Sequence, residues 1–207
     1  MIFDNLEAGP LRANCFIFGC AETREGIVID PGGDAEKIIA IVEQLGLSVL
    51  HVLNTHGHFD HVGANRAVKE HFGADLMIHA DDASMLERAA AIAQSYGVPG
   101  ESSPQPDLFL ADGMEISFGK RRMTVLHTPG HSKGGCCFYL EAEKIVITGD
   151  TLFANSIGRT DFPGGSHQQL LESVRAKLFT LPDDVTAYPG HGPETTIGYE
   201  KRYNPYF

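Results

Sequence analysis

The chain has 207 residues, 43% of them hydrophobic and 21% charged, which is enough apolar material to fill a sizeable core. A formal net charge of −11, from 27 acidic against 16 basic residues, argues against a nucleic-acid surface or an anionic membrane face, both of which need basic patches. No apolar run approaches the roughly 20 residues that span a bilayer, and Met1-Ile2-Phe3-Asp4-Asn5 has no basic stretch ahead of an apolar one, so the expected location is the cytoplasm.

In chain order, Cys15 to Phe18 and Ile27 to Ile29 read as a hairpin of short strands, and Asp30-Pro31-Gly32-Gly33 turns the chain. Ala35 to Leu45 carries Ile38, Ile39, Ile41, Val42 and Leu45 at helical spacing and stops at Gly46. Val49 to Asn54 reads as a strand, His61 to Phe72 as a helix ended by Gly73, and Leu76 to His79 as a strand. Asp81 or Asp82 is the expected cap of a helix from Ala83 to Tyr96. The segment from Gly97 to Asp107 is rich in Pro, Ser and Gly and is expected as an exposed loop. Met114 to Phe118, Arg122 to Leu126, Phe138 to Leu140 and Lys144 to Ile147 follow as strands, then a helix from Gln168 to Phe179 and a last strand from Thr186 to Tyr188. Cys15, Cys20, Cys136 and Cys137 contain no Cys-x-x-Cys pair. Adjacent Cys136 and Cys137 would point to opposite faces of a strand, so reduced, buried thiols are expected.

No linker or low-complexity run interrupts the chain, and one domain over residues 1–207 is expected. Both halves run from strands to a polar cassette and then to a helix, a weak internal repeat of βα character. Two sheets packed face to face with helices outside would suit it, although the layer rule alone does not separate that arrangement from a Rossmann sheet.

The cassettes carry the chemistry. Thr55-His56-Gly57-His58-Phe59-Asp60-His61, Thr128-Pro129-Gly130-His131, Thr148-Gly149-Asp150-Thr151 and Tyr188-Pro189-Gly190-His191-Gly192 each close an apolar run. A fold that gathers strand ends on one edge gathers their imidazoles and carboxylates too, the usual ligands of a hydrolytic zinc or related ion. His56 and His58 are two apart and share a face in extended backbone. Asp60 and His61 fall at a helix start, turned toward a second position. The resulting expectation is His56, His58 and His131 on one ion, Asp60, His61 and His191 on its neighbour, and Asp150 between them. Three protein ligands plus a bridge and a solvent position is an open, catalytic pattern. In a one-ion site Asp60 would instead be free to act as a general base.

With these residues in view, the chain resembles the metallo-β-lactamase superfamily through His56-x-His58-x-Asp60-His61, His131, Asp150 and His191. It looks most like a short bacterial glyoxalase II-type hydrolase. Gly158-Arg159-Thr160-Asp161-Phe162-Pro163-Gly164-Gly165, Pro189-Gly190-His191-Gly192-Pro193 and Glu200-Lys201-Arg202-Tyr203-Asn204-Pro205 extend the likeness along nearly the whole chain. The Gly-Arg-Thr-Asp-Phe run narrows it to the glyoxalase II and persulfide dioxygenase branch. The resemblance implies an αββα four-layer sandwich of two mixed β-sheets flanked by helices, with two divalent metal ions, zinc foremost and iron or manganese as alternatives. It implies attack of metal-bound hydroxide on a small-molecule thioester such as S-lactoylglutathione. The alternative is a persulfide dioxygenase with one iron on His56, His131 and Asp150. A metal-binding module without catalysis is a third possibility, disfavoured by the full ligand set.

Two departures stand out. Gly135 occupies a position where relatives often carry a second histidine. The chain also stops at Phe207, where full-length glyoxalase II continues into a helical domain that holds glutathione. Outside the ligand set, Arg159, Lys133 and Lys201 are candidate contacts for an anionic substrate, with an Arg159–Asp161 ion pair and a solvated Lys133 as the competing readings. His127 is expected in a core or ligand-orienting role, and His51, His71, His79 and His167 outside the ligand set. No nucleic acid, membrane or obligate protein partner is expected.

Overall fold

A computed structural model describes residues Met1–Phe207. Strands β1 (Ile2–Ala8), β2 (Ala13–Gly19) and β3 (Glu25–Ile29) form an antiparallel meander, and side-chain alternation along it sorts residues into layers. Phe16, Phe18, Ile27 and Ile29 point to one face, and Ile17 and Val28 to the other. Helix α1 (Ala35–Gln44) covers the outer face with Ile38 and Val42 and returns the chain to β4 (Ser48–Leu53), parallel to β3. Helices α2 (Phe59–Val62) and α3 (Asn65–Phe72) lead to β5 (Asp75–His79), also parallel. Helices α4 (Ala83–Leu86) and α5 (Ala89–Ser95) precede β6 (Leu108–Leu110), which completes a sheet of order β1-β2-β3-β4-β5-β6.

The second sheet is built from β7 (Glu115–Phe118), β8 (Arg121–His127), β9 (Cys136–Leu140) and β10 (Ile145–Gly149), all antiparallel neighbours. A short ribbon, β11 (Leu152–Phe153) with β12 (Ser156–Ile157), then leads to α6 (His167–Ser173), which continues as a wider helical turn through Leu178. Strand β13 (Thr186–Pro189) joins β10 in parallel, β14 (Thr195–Thr196) pairs with β13, and α7 (Ile197–Tyr203) ends the chain.

Both sheets are therefore mixed, and three apolar layers hold them. Phe16, Phe18, Ile29, Leu53, Phe118, Val125, Phe138 and Ile147 fill the space between the sheets. Val146, Leu170, Val174, Leu178 and Ile197 bury the outer face of the second sheet under its helices. This is the αββα sandwich the resemblance implied. Cys136 belongs to the middle layer and Cys137 to the outer one, on opposite faces as their adjacency predicts, and all four cysteines are free and buried. No helix is long and apolar enough to cross a membrane.

Two expected helices are broken. The one over His61 to Phe72 splits because the Ala64 N–H donates to the Pro31 carbonyl (2.8 Å) rather than continuing the helix. The one over Ala83 to Tyr96 splits where the Leu86 carbonyl accepts the Ser103 N–H and the Glu87 carbonyl accepts the Ser102 hydroxyl. Asp82 stands at the N-cap of α4 but makes no capping bond with its side chain. Its carboxylate instead accepts N–H groups from Gly57 (3.1 Å) and Gly134 (2.7 Å), joining the first cassette to the loop after His131.

The tail is pinned by one buried carboxylate. Glu200, fully buried in α7, accepts the Asn155 N–H, the Thr195 hydroxyl (2.6 Å) and the Asn204 amide (2.7 Å). Glu200→Ala strands those donors and is expected to cost about 3 kcal/mol, read as a lowered denaturant midpoint in equilibrium unfolding.

Candidate metal centre

The strand ends converge on one edge of the sandwich. The turn after β4 carries His56 and His58, α2 carries Asp60 and His61, and the segments after β8, β10 and β13 carry His131, Asp150 and His191. All seven side chains meet there. His56, His58 and His131 form one group of mutually close ligand atoms, and Asp60, His61 and His191 form another. Asp150 lies between the groups, with Oδ1 3.5 Å from His61 Nε2 and Oδ2 3.6 Å from His131 Nε2 and 3.9 Å from His191 Nε2. Asp60 Oδ2 is 3.2 Å from His191 Nε2.

Tautomers follow from the outer contacts. His131 Nδ1 meets the Arg159 carbonyl at 2.7 Å; a carbonyl only accepts, so Nδ1 carries the hydrogen and Nε2 presents a lone pair inward. His61 Nδ1 donates to Asp30 Oδ2 at 3.0 Å. The Thr55 hydroxyl donates to that same oxygen (2.6 Å) and thereby accepts from His56 Nδ1 (3.0 Å). Each of these imidazoles is held by its outer nitrogen and aims the inner one at a common space, the arrangement metal-binding histidines adopt.

Three buried atoms there have no hydrogen-bond partner: His56 Nε2, His61 Nε2 and Asp150 Oδ1. Unpaired buried polar atoms are rare, and a cation among them would satisfy all three. Close packing also keeps side chains out: a Cβ on Gly190 would lie 2.3 Å from Asp150 Oδ1 and 2.7 Å from His61 Cε1. The donor set and its unpaired atoms fit a pair of divalent ions.

Electrostatics point the same way. Burial and the neighbouring His131 push the His58 ring down to about 3, so it is neutral. Burial opposes charge on His61, yet the carboxylates of Asp150, Asp60 and Asp30 outweigh it and hold the ring up to about 10. A proton on His61 Nε2 would sit where an ion belongs, and the field that retains the one attracts the other. Burial likewise opposes charge on Asp60, but His61 and His191 keep its carboxyl well below the usual range.

The candidate substrate cations fare differently. Arg159 makes a two-pronged ion pair with Asp161 (2.7 Å for each bond) and lies over the Phe162 ring at 4.0 Å. Phe162 in turn meets the His58 ring edge-on at 5.3 Å, so this loop walls one side of the centre. Lys133 is exposed, with its stem against Gly164 of the same loop. Lys201 departs from expectation: its ammonium is engaged by the Leu181 carbonyl and the Asp183 carboxylate, both at 2.8 Å, which fastens α7 to the preceding turn.

Sequence reasoning missed three supports. Asp30 and Asp82 are buried carboxylates beneath the first cassette. Asn14 holds the fourth cassette through its side-chain amide, which donates to the carbonyls of Pro189 and Gly192, both at 2.9 Å. Asp30 had a legible signal, since Ile27-Val28-Ile29-Asp30 repeats the pattern of an apolar run closed by a ligand-type residue.

A family model for the metallo-beta-lactamase superfamily matches residues 8–191. The chain belongs to this superfamily. It is 40% identical over 207 residues to the hydroxyacylglutathione hydrolase GloC of Haemophilus influenzae, covering 98% of this chain and 97% of that protein. Among solved structures it is similar to the BLEG-1 B3 metallo-beta-lactamase (37% identity, TM-score 0.92, 99% of both chains). It is also similar to TTHA1623 in a di-iron-bound form (38%, TM-score 0.91, 99% of this chain and 100% of that one). ETHE1 from Myxococcus xanthus is similar as well (32%, TM-score 0.84, 99% of this chain and 84% of that one). The metallo-beta-lactamase fold and a centre rich in metal-ligating histidine and aspartate thus agree with the family.

Proposed function

We propose that the chain is a metal-dependent thioester hydrolase, acting on a small substrate such as S-lactoylglutathione. His56, His58 and His131 would hold one ion, Asp60, His61 and His191 a second, and Asp150 would be shared. Zinc is the expected metal, with iron or manganese the alternatives. Bound there, divalent ions lower the pKa of water toward neutrality and stabilise negative charge developing on a carbonyl oxygen. The observation that carries this reading is the convergence of unpartnered His56 Nε2, His61 Nε2 and Asp150 Oδ1 in one buried space. The similarity to GloC supports the thioester in particular.

The chain's own residues supply the rest. Thr55, Asp30 and the Arg159 carbonyl fix the ring orientations, so little reorganisation is needed when the site is used. Asp60 is ionised, as a ligand of the second ion has to be; only in a one-ion site would its carboxylate be free to act as a general base on the attacking water. Phe162 packs against the His58 ring, and Lys133, exposed and with its stem against Gly164 of the same loop, is the candidate contact for a substrate carboxylate. Arg159 serves mainly to hold that wall through Asp161.

A persulfide dioxygenase using His56, His131 and Asp150 is the second reading, favoured by the likeness to ETHE1 and by iron in TTHA1623. The deciding experiment measures metals per chain, then follows S-lactoylglutathione cleavage beside oxygen uptake on glutathione persulfide, with a β-lactam as a further substrate. Thioester cleavage without oxygen uptake supports the proposal; oxygen uptake with no thioester cleavage overturns it. His58→Ala is expected to lower thioester turnover by roughly tenfold or more, together with metal content by elemental analysis. Unchanged turnover would remove His58 from the ligand set.

A further inference from the structure

Of the three histidines assigned to the first ion, two sit on one loop and one on another, and a single buried side chain joins the two loops. Asp82, 1% exposed, follows β5 on a turn over Ala80–Asp82. Its Oδ2 accepts the Gly57 N–H at 3.1 Å, between His56 and His58. Its Oδ1 accepts the Gly134 N–H at 2.7 Å, in the loop that follows His131. Both loops press onto it: a Cβ on Gly134 would lie 2.8 Å from Asp82 Cγ, and one on Gly57 would lie 2.9 Å from the Asp82 carbonyl oxygen. One backbone bond, from the Cys136 N–H to the Thr55 carbonyl (2.8 Å), joins the same segments but lies outside both turns.

The other end of the Gly134 peptide group is held as well. The Lys133 carbonyl belongs to that peptide and meets His127 Nε2 at 3.0 Å; a carbonyl only accepts, so Nε2 carries the hydrogen. His127 closes β8, and its ring stacks on that of His79, which closes β5 (centroids 4.1 Å apart, 7° between planes). One peptide is thus clamped at its N–H by Asp82 and at its carbonyl by His127.

The ligands depend unevenly on this clamp. His56, His61 and His131 have their outer nitrogens held by Thr55, Asp30 and the Arg159 carbonyl. His58 has no such contact: its side chain meets His131, Nδ1 to Nε2 at 2.9 Å, and packs edge-on against Phe162. Its ring is therefore placed by its backbone, and the Gly57 N–H is where that backbone is tied. Asp82 makes no hydrogen bond to Asp60, His61 or His191; Asp30 and Asn14 serve that side of the centre. Ligand distances must be right to about 0.2 Å for an ion to be held, so a small relative drift of the two loops is enough to empty one position.

We propose that Asp82, aided by His127, is a positioning residue that sets the spacing of His56, His58 and His131, and so controls filling of the first ion position without controlling the second. This rests on the two-ion reading given above.

The test compares the native protein with Asp82→Asn, which keeps the shape and one acceptor oxygen but turns an NH₂ group toward one of the two N–H donors. Each full-length protein is dialysed against buffered free zinc, and metal per chain is measured across zinc concentrations. Asp82→Asn is expected to hold one ion with native affinity and the other about 10–100-fold more weakly. Adding His58→Ala to Asp82→Asn is expected to remove no further metal, whereas adding His191→Ala removes the remaining ion. In the metal-free proteins, hydrogen exchange at the Gly57 and Gly134 amides is expected to speed up in the variant. Native zinc uptake at both positions in Asp82→Asn overturns the proposal, and so does equal weakening of both, which is what a merely structural residue would give. His127→Phe keeps the stack on His79 and removes the donor to the Lys133 carbonyl; it is expected to weaken the same position to a lesser degree. It decides the matter if Asp82→Asn fails to fold, as judged by circular dichroism. Fewer than two ions in the native protein would overturn the two-ion reading; unchanged affinity for a single ion in Asp82→Asn would then overturn the clamp, and lowered affinity would sustain it.

Discussion

Asp30→Ala is expected to lower stability by about 3–5 kcal/mol and to weaken ion uptake at the centre by roughly 10–100-fold. Asp30 has no exposed surface, and its carboxylate is fully engaged. Oδ1 accepts the Thr55 N–H at 2.7 Å; Oδ2 accepts the Thr55 hydroxyl at 2.6 Å and His61 Nδ1 at 3.0 Å. Alanine leaves all three donors buried without partners, each a full desolvation penalty. It also frees the His61 and His56 rings to rotate, since the Thr55 hydroxyl that meets His56 is oriented by the same oxygen. The backbone of Asp30 is left-handed (φ 52°), a conformation aspartate tolerates better than most residues, so alanine adds strain there. Denaturant unfolding of the metal-free protein and a metal titration measure the two effects separately. A variant that matches the native protein in both would show that the ligand rings are held by packing alone.

Asp30 also shows where sequence legibility ends: its strand-closing position is visible in Ile27-Val28-Ile29-Asp30, but its partners are not. The seven cassette residues can be found because each group has a local pattern: a spacing of two in His56 and His58, and strand-closing turns for His131, Asp150 and His191. The sheets can be found because period-two apolar runs such as Cys15 to Phe18 and Ile27 to Ile29 face two cores. A support like Asp30, Asp82 or Asn14 is one polar residue whose partners lie far along the chain; Asn14 reaches Pro189 and Gly192. No spacing announces such a partner. β1 escapes for a related reason, being mostly half-buried, with too little contrast to alternate cleanly. Helix α7 starts with Ile197-Gly198 and has no apolar stripe; its buried Glu200 ties it to the fold through the distant Asn155 N–H, beside local donors from Thr195 and Asn204. The two split helices fail in the same way, through carbonyl and N–H groups captured by distant loops. Local pattern is legible, and nonlocal hydrogen bonding is what overrides it.

Asp150→Asn is expected to lower turnover by roughly 10²–10³-fold and to reduce bound metal, while leaving the metal-free fold nearly untouched. The contrast with Asp30 comes from what each carboxylate does in the fold. Asp150 Oδ1 is buried and receives no hydrogen bond, so asparagine, of the same shape, strands no protein donor. Removing the charge relieves Asp150's own desolvation, and His61, which Asp150 holds up most, gives up its proton more readily instead of staying an under-paired buried cation, which limits the cost of the lost attraction. The unfolding midpoint of the metal-free variant is therefore expected to stay within about 2–4 °C of native, the shift that about 1 kcal/mol produces in a chain of this size. Function has no such compensation. Two dications held there would carry four positive charges, with Asp60 and Asp150 supplying the central negative ones; asparagine would halve that and leave the ions to repel. Elemental analysis, thioester turnover and thermal unfolding on one preparation separate the outcomes. Loss of stability equal to that of Asp30→Ala would make Asp150 a structural residue, and retained turnover would remove it from the centre. Low turnover in a stable, metal-poor protein is what a residue kept for its ions, at some expense to the empty fold, has to give.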